Sequence, residues 1–496
     1  MAIPDYFQRN AIAISQAISG LGHTQLESML GHVCVGVTIG RDAQGREGRA
    51  LADLLIRLLA RLYPALMVRA EGDRALADEL VALAQRINPR VETSATPTME
   101  VVVGCASGQQ QSSRTVYAGS SGWTGRVSAR DPQECGDSNN PFGPGVAACL
   151  AAASLFRSLF MPETETGADV ELSIPDAIAT LDGGADVAGD VGQLVLAGGG
   201  AIGNAAVWAL ARTEVTGSID VVDHERIDLG NLQRYVLAER ADEGNSKATV
   251  LAATLSPKLE ATAFECRLAE FLQMKRHRVE NLLLALDSAK DRCAAQASLP
   301  LNIANAWTQP GDLGVSIHHF LDGACVSCLY LPDSKQKNED EIIADAFGVP
   351  ERLMQVRVLL HDGGGTPLDL LEGIAEARGL PLEKLLPFKG RQLRALYTEG
   401  FCGGAVIPME HLGAPANEMH VPLSHQSALA GVLLAAAGVR TAINGCAASL
   451  VARYDVLKRQ EWFHVHPVAK KGAGCICEDD DYRNEYQKKV RRSQMS

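Results

Sequence analysis

The stretch Leu194–Lys247 reads LVLAGGGAIGNAAVWALARTEVTGSIDVVDHERIDLGNLQRYVLAERADEGNSK. The run Gln193–Ala197 that opens it has the length and apolar character of a buried parallel strand. Gly198, Gly200 and Gly203 then follow in GxGxxG spacing. In that pattern the first glycine turns the chain tightly, the second lets the backbone approach a phosphate, and the third lets the next helix pack closely. Asn204–Arg212 continues as that helix and Ser218–Val222 as a second strand. Asp223 ends the strand, 20 residues after Gly203, where a carboxylate can accept hydrogen bonds from a ribose. Taken alone, these glycines fit an NAD-dependent oxidoreductase as well as any other nucleotide enzyme.

The residues that follow change that reading. Asn231, Gln233 and Arg234 stand in NLQR, and Lys247 stands in GNSKA. A dehydrogenase has no use for an Arg and a Lys just past the ribose carboxylate. A nucleoside triphosphate does, because its β- and γ-phosphates carry charge that must be neutralised. Leu282–Leu286 is a further apolar strand that ends in Asp287, within ALDSAKDR. A carboxylate at a strand end near phosphates suits Mg²⁺. A noncatalytic scaffold would leave all these charges without a purpose.

Together, GGGAIG, VVDHE, NLQR, SKA and LDSAKDR resemble the ubiquitin-activating-enzyme family, which includes the bacterial sulfur-carrier adenylyltransferases. The resemblance implies that ATP is bound with Asp223 on the ribose and with Asn231, Arg234 and Lys247 on the triphosphate. It implies Mg²⁺ on Asp287. Two departures are visible: Tyr235 follows NLQR where the family often has Gln, and Ser288 follows Asp287 where it often has Asn. Neither removes a charge. Tyr6, Gln8 and Arg9 resemble the family's opening YxRQ segment, whose arginine reaches the ATP of the opposing half. A single Arg on an amphipathic helix also reads as an ordinary solvated side chain.

The chain has 496 residues, room for two to four domains. It is 46% hydrophobic with a net charge of −13, which argues against nonspecific nucleic-acid binding. MAIPDYFQRN lacks a basic region followed by an apolar run, so no secretory signal is read. Ala428–Val439 is too short to span a bilayer, and Gly145–Phe160 contains Arg157 and reads as a buried helix, so no membrane partner is expected. Twelve cysteines without a signal point to a reducing compartment, the cytoplasm.

Strands and helices alternate through the first 105 residues, which predicts a parallel sheet covered by helices. VGVTIGRDAQG lacks the phosphate glycines, so the expected fold is α/β: a Rossmann-like adenylation domain paired with a degenerate, silent Rossmann-like N-terminal half, the alternative for that half being an unrelated α/β domain, and a cysteine-bearing segment. The boundaries read as 1–165 for the silent half, 166–192 for a linker and 193–332 for the active half. A crossover segment over 333–415 carries the cysteine. Residues 416–478 return to the active half, and 479–496 read as a frayed acidic-then-basic tail. Asp333–Asp345 reads as a solvated charged loop or helix start, and HDGGGT at 361–366 as a loop.

Cys325 and Cys328 form CxxC, and Cys475 and Cys477 form CxC. Two close pairs supply the four thiolates of a structural zinc site, and the metal would pin the C-terminus to the active half. A redox CxxC would not explain the second pair. Cys105, Cys149, Cys266, Cys293 and Cys446 read as core fillers, Cys34 as the start of a buried strand, and Cys135 as exposed in a polar loop. Cys402, in TEGFCGGAVIP, follows Arg391 and Arg394 and precedes two glycines. Nearby Arg lowers a thiol pKa, and glycines free the backbone. The resemblance puts a thioester-forming cysteine on a mobile crossover segment in this region.

The expected activity is therefore adenylation of the C-terminal glycine of a ubiquitin-like protein, followed by a thioester on Cys402. The resemblance is closest to the bacterial activating enzymes of antiphage ubiquitin-like conjugation operons. No separate conjugating domain is read, so a conjugating enzyme would act in trans, and a homodimer or internal pseudo-dimer would form. A sulfur-carrier adenylyltransferase for thiamin or molybdopterin synthesis is the nearest alternative, although such proteins are usually about half this length.

Overall fold

The alternation in the first 160 residues becomes a sheet with helices against it. The computed structural model of the chain describes residues 6–18, 23–107, 114–161, 170–173, 186–255, 259–309, 312–321, 323–331, 339–397, 421–445, 448–457, 464–470, 472 and 474–493. Phe7–Ala17 (α1) and His23–Leu30 (α2) come first. Cys34–Ile39 (β1) is buried along its whole length, as an uncharged apolar run must be in a central strand. Arg46–Leu59 (α3), Ala65–Ala70 (β2), Arg74–Ile87 (α4), Met99–Val103 (β3), Thr115–Ser121 (β4), Thr124–Ser128 (β5), Phe142–Phe160 (α5) and Val170–Ser173 (β6) follow. The order is β2-β1-β3-β4-β5-β6, parallel through β4 and antiparallel beyond it. Asp73 caps α4 by accepting from the Leu76 amide at 3.0 Å, and Arg86 lies in its last turn, where a cation suits the helix dipole.

The second sheet uses Ala188–Ala197 (β7), Glu214–Val222 (β8), Leu259–Phe264 (β9), Asn281–Leu284 (β10), Asn302–Gln309 (β11) and Asp312–His318 (β12). After the insertion come Leu450–Tyr454 (β13) and His464–Pro467 (β14). Ala201–Leu210 (α6), Lys247–Thr254 (α7), Leu268–Met274 (α8) and Ala289–Ala297 (α9) connect the parallel strands. The order is β14-β13-β12-β11-β10-β7-β8-β9, with the five strands from β11 to β9 parallel. The fold is thus α/β with two sheets dominated by parallel strands.

The expected linker over 166–192 holds strand at both ends. Residues 170–173 pair with β5, and β7 begins at Ala188. The polar AGDVG hides this start because the ladder shifts between Asp190 and Gln193, where Gly192 has φ +58°.

The two halves meet through apolar helices and through polar side chains, Asp53 among them. Ser424–Asn444 (α10) packs against α5 and α6. A Cβ at Gly431 would lie 2.2 Å from the Ile202 carbonyl oxygen, so only glycine permits this approach. Both α5 and α10 are long and apolar enough to cross a membrane, yet both are mostly buried inside the fold. Asp53 on α3 accepts from Trp208 Nε1 at 2.7 Å, Arg212 Nη2 at 2.8 Å and Arg57 Nε at 2.9 Å. Burial alone would raise its pKa, but Arg212, Arg57 and the Trp208 hydrogen bond outweigh it and hold the carboxyl below its usual value.

Residues 332–421 form a compact unit of their own. Its helices Glu339–Phe347, Leu353–Asp362 and Leu368–Arg378 enclose Phe347, Leu370, Ile374, Leu385 and Phe388. The charged stretch up to Asp345 is therefore helical from Glu339 onward, with Ile343 and Ala344 facing this core.

The C-terminal tail is not frayed. Asp480–Ser493 (α11) lays Tyr482, Tyr486 and Val490 against the cysteine-rich cluster. Tyr486 donates to the Leu301 carbonyl at 2.7 Å. Lys489 Nζ donates to the carbonyls of His277 at 2.6 Å and Leu299 at 2.8 Å, two residues held at positive φ. The dense charge of this segment masks a buried face repeated every four residues.

His425 lies at the start of α10 with its ring 5.5 Å from Phe156. It is buried, and its Nε2 has no hydrogen-bond partner among the described residues. Burial first, and Arg157 second, push its pKa down to about 3. The unfolded imidazole titrates near pH ~6.5, so as pH falls the unfolded chain takes up this proton first. The neutral-His stability is therefore whole above about pH 6.5 and is lost progressively below it. One proton limits the slope to about 1.4 kcal/mol per pH unit. His425→Leu is expected to have a flatter dependence of unfolding free energy on pH between about 6.5 and 5 than the wild type. Parallel curves in urea titrations would exclude His425 as the titrating group.

Candidate active site

Connections leave β7 and β10 toward opposite edges of the second sheet, which opens a crevice at their carboxyl ends. The glycine loop forms one lip and the segment after β10 the other. Gly198 has φ +102°, and a Cβ there would lie 2.5 Å from the Ala285 carbonyl oxygen. A Cβ at Gly203 would lie 2.1 Å from the Gly198 carbonyl oxygen, so this glycine sets how closely α6 seats under the loop. A Cβ at Gly200 would meet only the Tyr235 hydroxyl oxygen, at 3.7 Å. The space over Gly200 is open to a ligand.

Asp223 latches the loop. Its Oδ2 accepts from the Gly199 amide at 2.6 Å and its Oδ1 from the Glu225 amide at 2.8 Å. Each oxygen keeps acceptor capacity for a ligand hydroxyl. Asn231 and Asp228 cap one another: the Asn231 amide donates to Asp228 Oδ1 at 2.9 Å, and Asn231 Oδ1 accepts from the Asp228 amide at 3.2 Å. The side-chain NH₂ of Asn231 is the group left to meet a phosphate.

Lys247 opens α7, which Ser246 caps through the Thr249 amide. Its Nζ is 2.5 Å from Glu225 Oε2. Burial would lower its pKa, but Tyr235 and the Glu225 carboxylate outweigh burial and hold it above the ordinary lysine value. Lys247 is therefore charged at neutral pH. Arg234 donates to Gln233 Oε1 at 3.4 Å and lies 5.6 Å from the Tyr235 ring centre. Burial lowers the Arg234 pKa and Arg9 pushes the same way, against Tyr235 and the more distant Asp228 and Glu225. Arg9 reaches in from α1; a Cβ at Gly230 would lie 3.2 Å from its Nε. Among the described residues no carboxylate forms an ion pair with Arg9 or Arg234. Two neighbouring guanidinium groups are thus left without a directly paired carboxylate among the described residues, an arrangement suited to a polyanion.

Asp287 is exposed beyond the end of β10. Arg292 steadies the turn behind it by donating to the Leu286 carbonyl and to Asn305. A solvent-facing carboxylate fits Mg²⁺, which keeps several of its waters. Gln233 Nε2 donates to the Pro422 carbonyl at 3.4 Å, so the chain returns from the insertion beside NLQR. Cys402 and Cys446 lie outside the described residues. The sequence pattern left Arg9 open and missed Glu225 and the side chain of Tyr235. The opening Tyr6, Gln8 and Arg9 was the one signal for Arg9; the others are joined only by tertiary packing.

The matching crevice of the first sheet, between β1 and β3, is filled by acid. Asp42 Oδ1 accepts from the Cys105 amide at 2.8 Å and Oδ2 from the Cys135 amide at 3.3 Å. A Cβ at Gly40 would meet the Cys105 carbonyl oxygen and Asp42 Oδ1 at 2.5 and 2.7 Å. Glu71 accepts from the Ser107 amide at 2.6 Å. A phosphate would meet the carboxylates of Asp42 and Glu71 here. Cys105 is exposed at this strand end and is not a core filler, and Cys135 is only half exposed. Burial and the neighbouring Asp42 and Glu134 raise the Cys105 pKa. Burial and Asp42 push that of Cys135 up to about 12. Cys149 is buried in α5, and Cys266 and Cys293 are half exposed.

Cys325, Cys328, Cys475 and Cys477 converge. Sulfur separations are 3.3 Å for 325–475, 3.4 Å for 328–475, 3.5 Å for 475–477, 3.6 Å for 328–477 and 4.0 Å for 325–328. Tetrahedral Zn–S bonds of ~2.3 Å place sulfurs about 3.8 Å apart, so this donor set fits a structural zinc ion. All four are buried, and no other group of this kind occurs among the described residues. Elemental analysis is expected to give about one zinc per chain. Cys475→Ser is expected to lose the metal and lower the melting temperature by several degrees; unchanged zinc content would rule out this cluster as the ligand set.

Residues 189–475 match the ThiF family, and residues 40–161 match prokaryotic E2 family C. The second match describes the first half differently from its sheet order, which is that of a doubly wound half. The uncharacterized protein y4jF of Sinorhizobium fredii (strain NBRC 101917 / NGR234) is 38% identical over 510 residues, covering 99% of this chain and 98% of that protein. Among solved structures, E. coli MccB with MccA overlaps at a TM-score of 0.37 and 12% identity, over 58% of this chain and 67% of that one. PaaA overlaps at 0.22 and 17%, over 25% and 40%. The ThiF match spans more than half of the sequence, and the chain belongs to the ThiF family, whose adenylyltransferases use ATP and Mg²⁺.

Proposed function

We propose that this ThiF-family chain adenylates the C-terminal glycine carboxylate of a ubiquitin-like protein and then carries it as a thioester. The observation that supports this most is the neighbouring Arg9 and Arg234, which no carboxylate pairs directly among the described residues, on the Tyr235 side of the open Gly200. A carboxylate oxygen of the carrier attacks the α-phosphorus of ATP, the α–β P–O bond breaks, and pyrophosphate leaves. Arg9, Arg234 and Lys247 neutralise the triphosphate, and Asp223 receives the ribose hydroxyls. Mg²⁺ on Asp287 would supply further neutralisation of the leaving pyrophosphate. A cysteine thiolate then attacks the acyl carbon, the C–O bond to AMP breaks, and AMP leaves. Cys402 is the proposed nucleophile. The reading places the reaction in the cytoplasm, and the antiphage setting rests on the family resemblance alone.

The match of residues 40–161 to an E2 family favours a second reading of the transfer step, in which conjugating chemistry rides on this chain and not in trans. Cys105 is the exposed thiol of that region. Its raised pKa would make it a poorer leaving group than an acidic thiol, and so a longer-lived carrier of the acyl group. A sulfur-carrier adenylyltransferase would share the first step and lack any thioester of this kind. A hydride-transfer enzyme has no use for the facing guanidiniums.

Carrier-dependent ATP–pyrophosphate exchange is expected to fall roughly 10²–10³-fold in Arg234→Ala, and by a similar factor in Arg9→Ala and Asp287→Ala. Wild-type exchange in Asp287→Ala would remove that residue from the mechanism. Cys402→Ala is expected to keep exchange and to lose the reducible adduct with the carrier on nonreducing gels. An adduct that survives in Cys402→Ala but not in Cys105→Ala moves the thioester to the first half. No adduct in the wild type favours an enzyme that stops at the adenylate.

A further inference from the structure

Tyr235 stands where the nucleotide site and the junction between the halves meet. Its side chain is buried. Its amide donates to the Asn231 carbonyl at 3.1 Å, and its own carbonyl accepts from Arg61 of the first half. The residue is thus fixed from both sides.

The ring and the hydroxyl face different neighbours. Lys247 Nζ lies 5.2 Å and Arg234 Cζ 5.6 Å from the ring centre. An aromatic face attracts cations at such distances, so the ring gathers two of the groups assigned to the triphosphate. The hydroxyl oxygen is the one described atom within 4 Å of a Cβ built on Gly200. Gly200 is where the loop backbone lets a phosphate approach. A tyrosine hydroxyl has one proton to donate and two lone pairs. The neighbouring Lys247 ammonium can only donate, so the hydroxyl keeps its proton for an acceptor in the open space over Gly200.

We infer that Tyr235 is a substrate-binding residue, whose hydroxyl donates a hydrogen bond to a phosphate oxygen of ATP bound over Gly200 and whose ring aligns Lys247 and Arg234. This rests on the adenylation reading above. Bound triphosphate is held by this bond before and during the reaction alike, so the contribution falls on ATP affinity more than on turnover.

Tyr235→Phe tests it in the full chain, since it keeps the ring and removes only the hydroxyl. Equilibrium binding of MgATP without carrier, and KM and kcat in carrier-dependent pyrophosphate exchange, are measured beside the melting temperature. A hydrogen bond to a charged phosphate is worth roughly tenfold or more in affinity. The expected result is a Kd and a KM for MgATP about tenfold higher, kcat within about threefold, and a melting temperature within about 2 °C of wild type. Unchanged Kd and KM overturn the inference, and so does a lower melting temperature with MgATP affinity intact. A wild-type chain that fails to bind MgATP overturns the adenylation reading and this inference with it. A chain that binds MgATP but shows no carrier-dependent exchange sinks the adenylation reading alone, because the binding comparison still decides the role of Tyr235.

Discussion

The buried guanidinium of Arg61 ties the two halves together at the point where chemistry is expected. Arg61 follows α3 in the first half and is fully buried. It donates to the carbonyls of Tyr235 and Ala238 and, through Nη1, to that of Arg57 at 2.8 Å. Arg57 adds a bond to the Val236 carbonyl at 3.1 Å. Backbone carbonyls buried without donors are costly, so the segment after NLQR depends on the first half for its satisfaction. Burial lowers the Arg61 pKa to about 10, still far enough above neutrality to keep the charge these bonds need. The loop bearing Arg234 and Tyr235 is therefore not a property of the second half alone.

The two sheets resolve the same topological crevice in opposite ways. In the second, an open glycine loop faces Lys247 and Tyr235, with Arg234 beside the Tyr235 ring. In the first, Asp42 and Glu71 take the backbone amides that a phosphate would otherwise use. Duplicated architecture thus carries opposite electrostatics. One half leaves its glycine loop open beside cations, and α1 of the other brings Arg9 up to Gly230 and Arg234. The E2-family match over the first half is compatible with this division, since an acid-filled crevice beside an exposed Cys105 has no nucleotide to compete for it.

The second sheet and its loop were legible because glycine spacing, apolar runs and strand-end carboxylates are local signals. The four-sulfur cluster was legible because paired cysteines have few other uses. Other features were hidden for physical reasons. The bulge at Gly192 interrupts the period that would mark the start of β7. In α11, charge surrounds Tyr482, Tyr486 and Val490 and conceals a buried stripe. Arg9 meets Gly230 only after the fold forms, so sequence could offer the arginine but not its destination. The exposure of Cys105 is set by its place one residue past Gly104 at a strand end, a tertiary fact that apolar surroundings in sequence misstate.

The sulfur cluster also closes a long loop, since Cys325 and Cys475 are 150 positions apart. The entropy of closing a flexible loop grows only with the logarithm of its length, about 0.6 kcal/mol per doubling. Between the two knuckles, the insertion over 332–421 folds around its own core. Lineages could therefore lengthen, shorten or exchange that module with little penalty to the sheet that bears it. The fold is arranged as a socket, in which the inserted module can evolve while the sheet that bears it stays put.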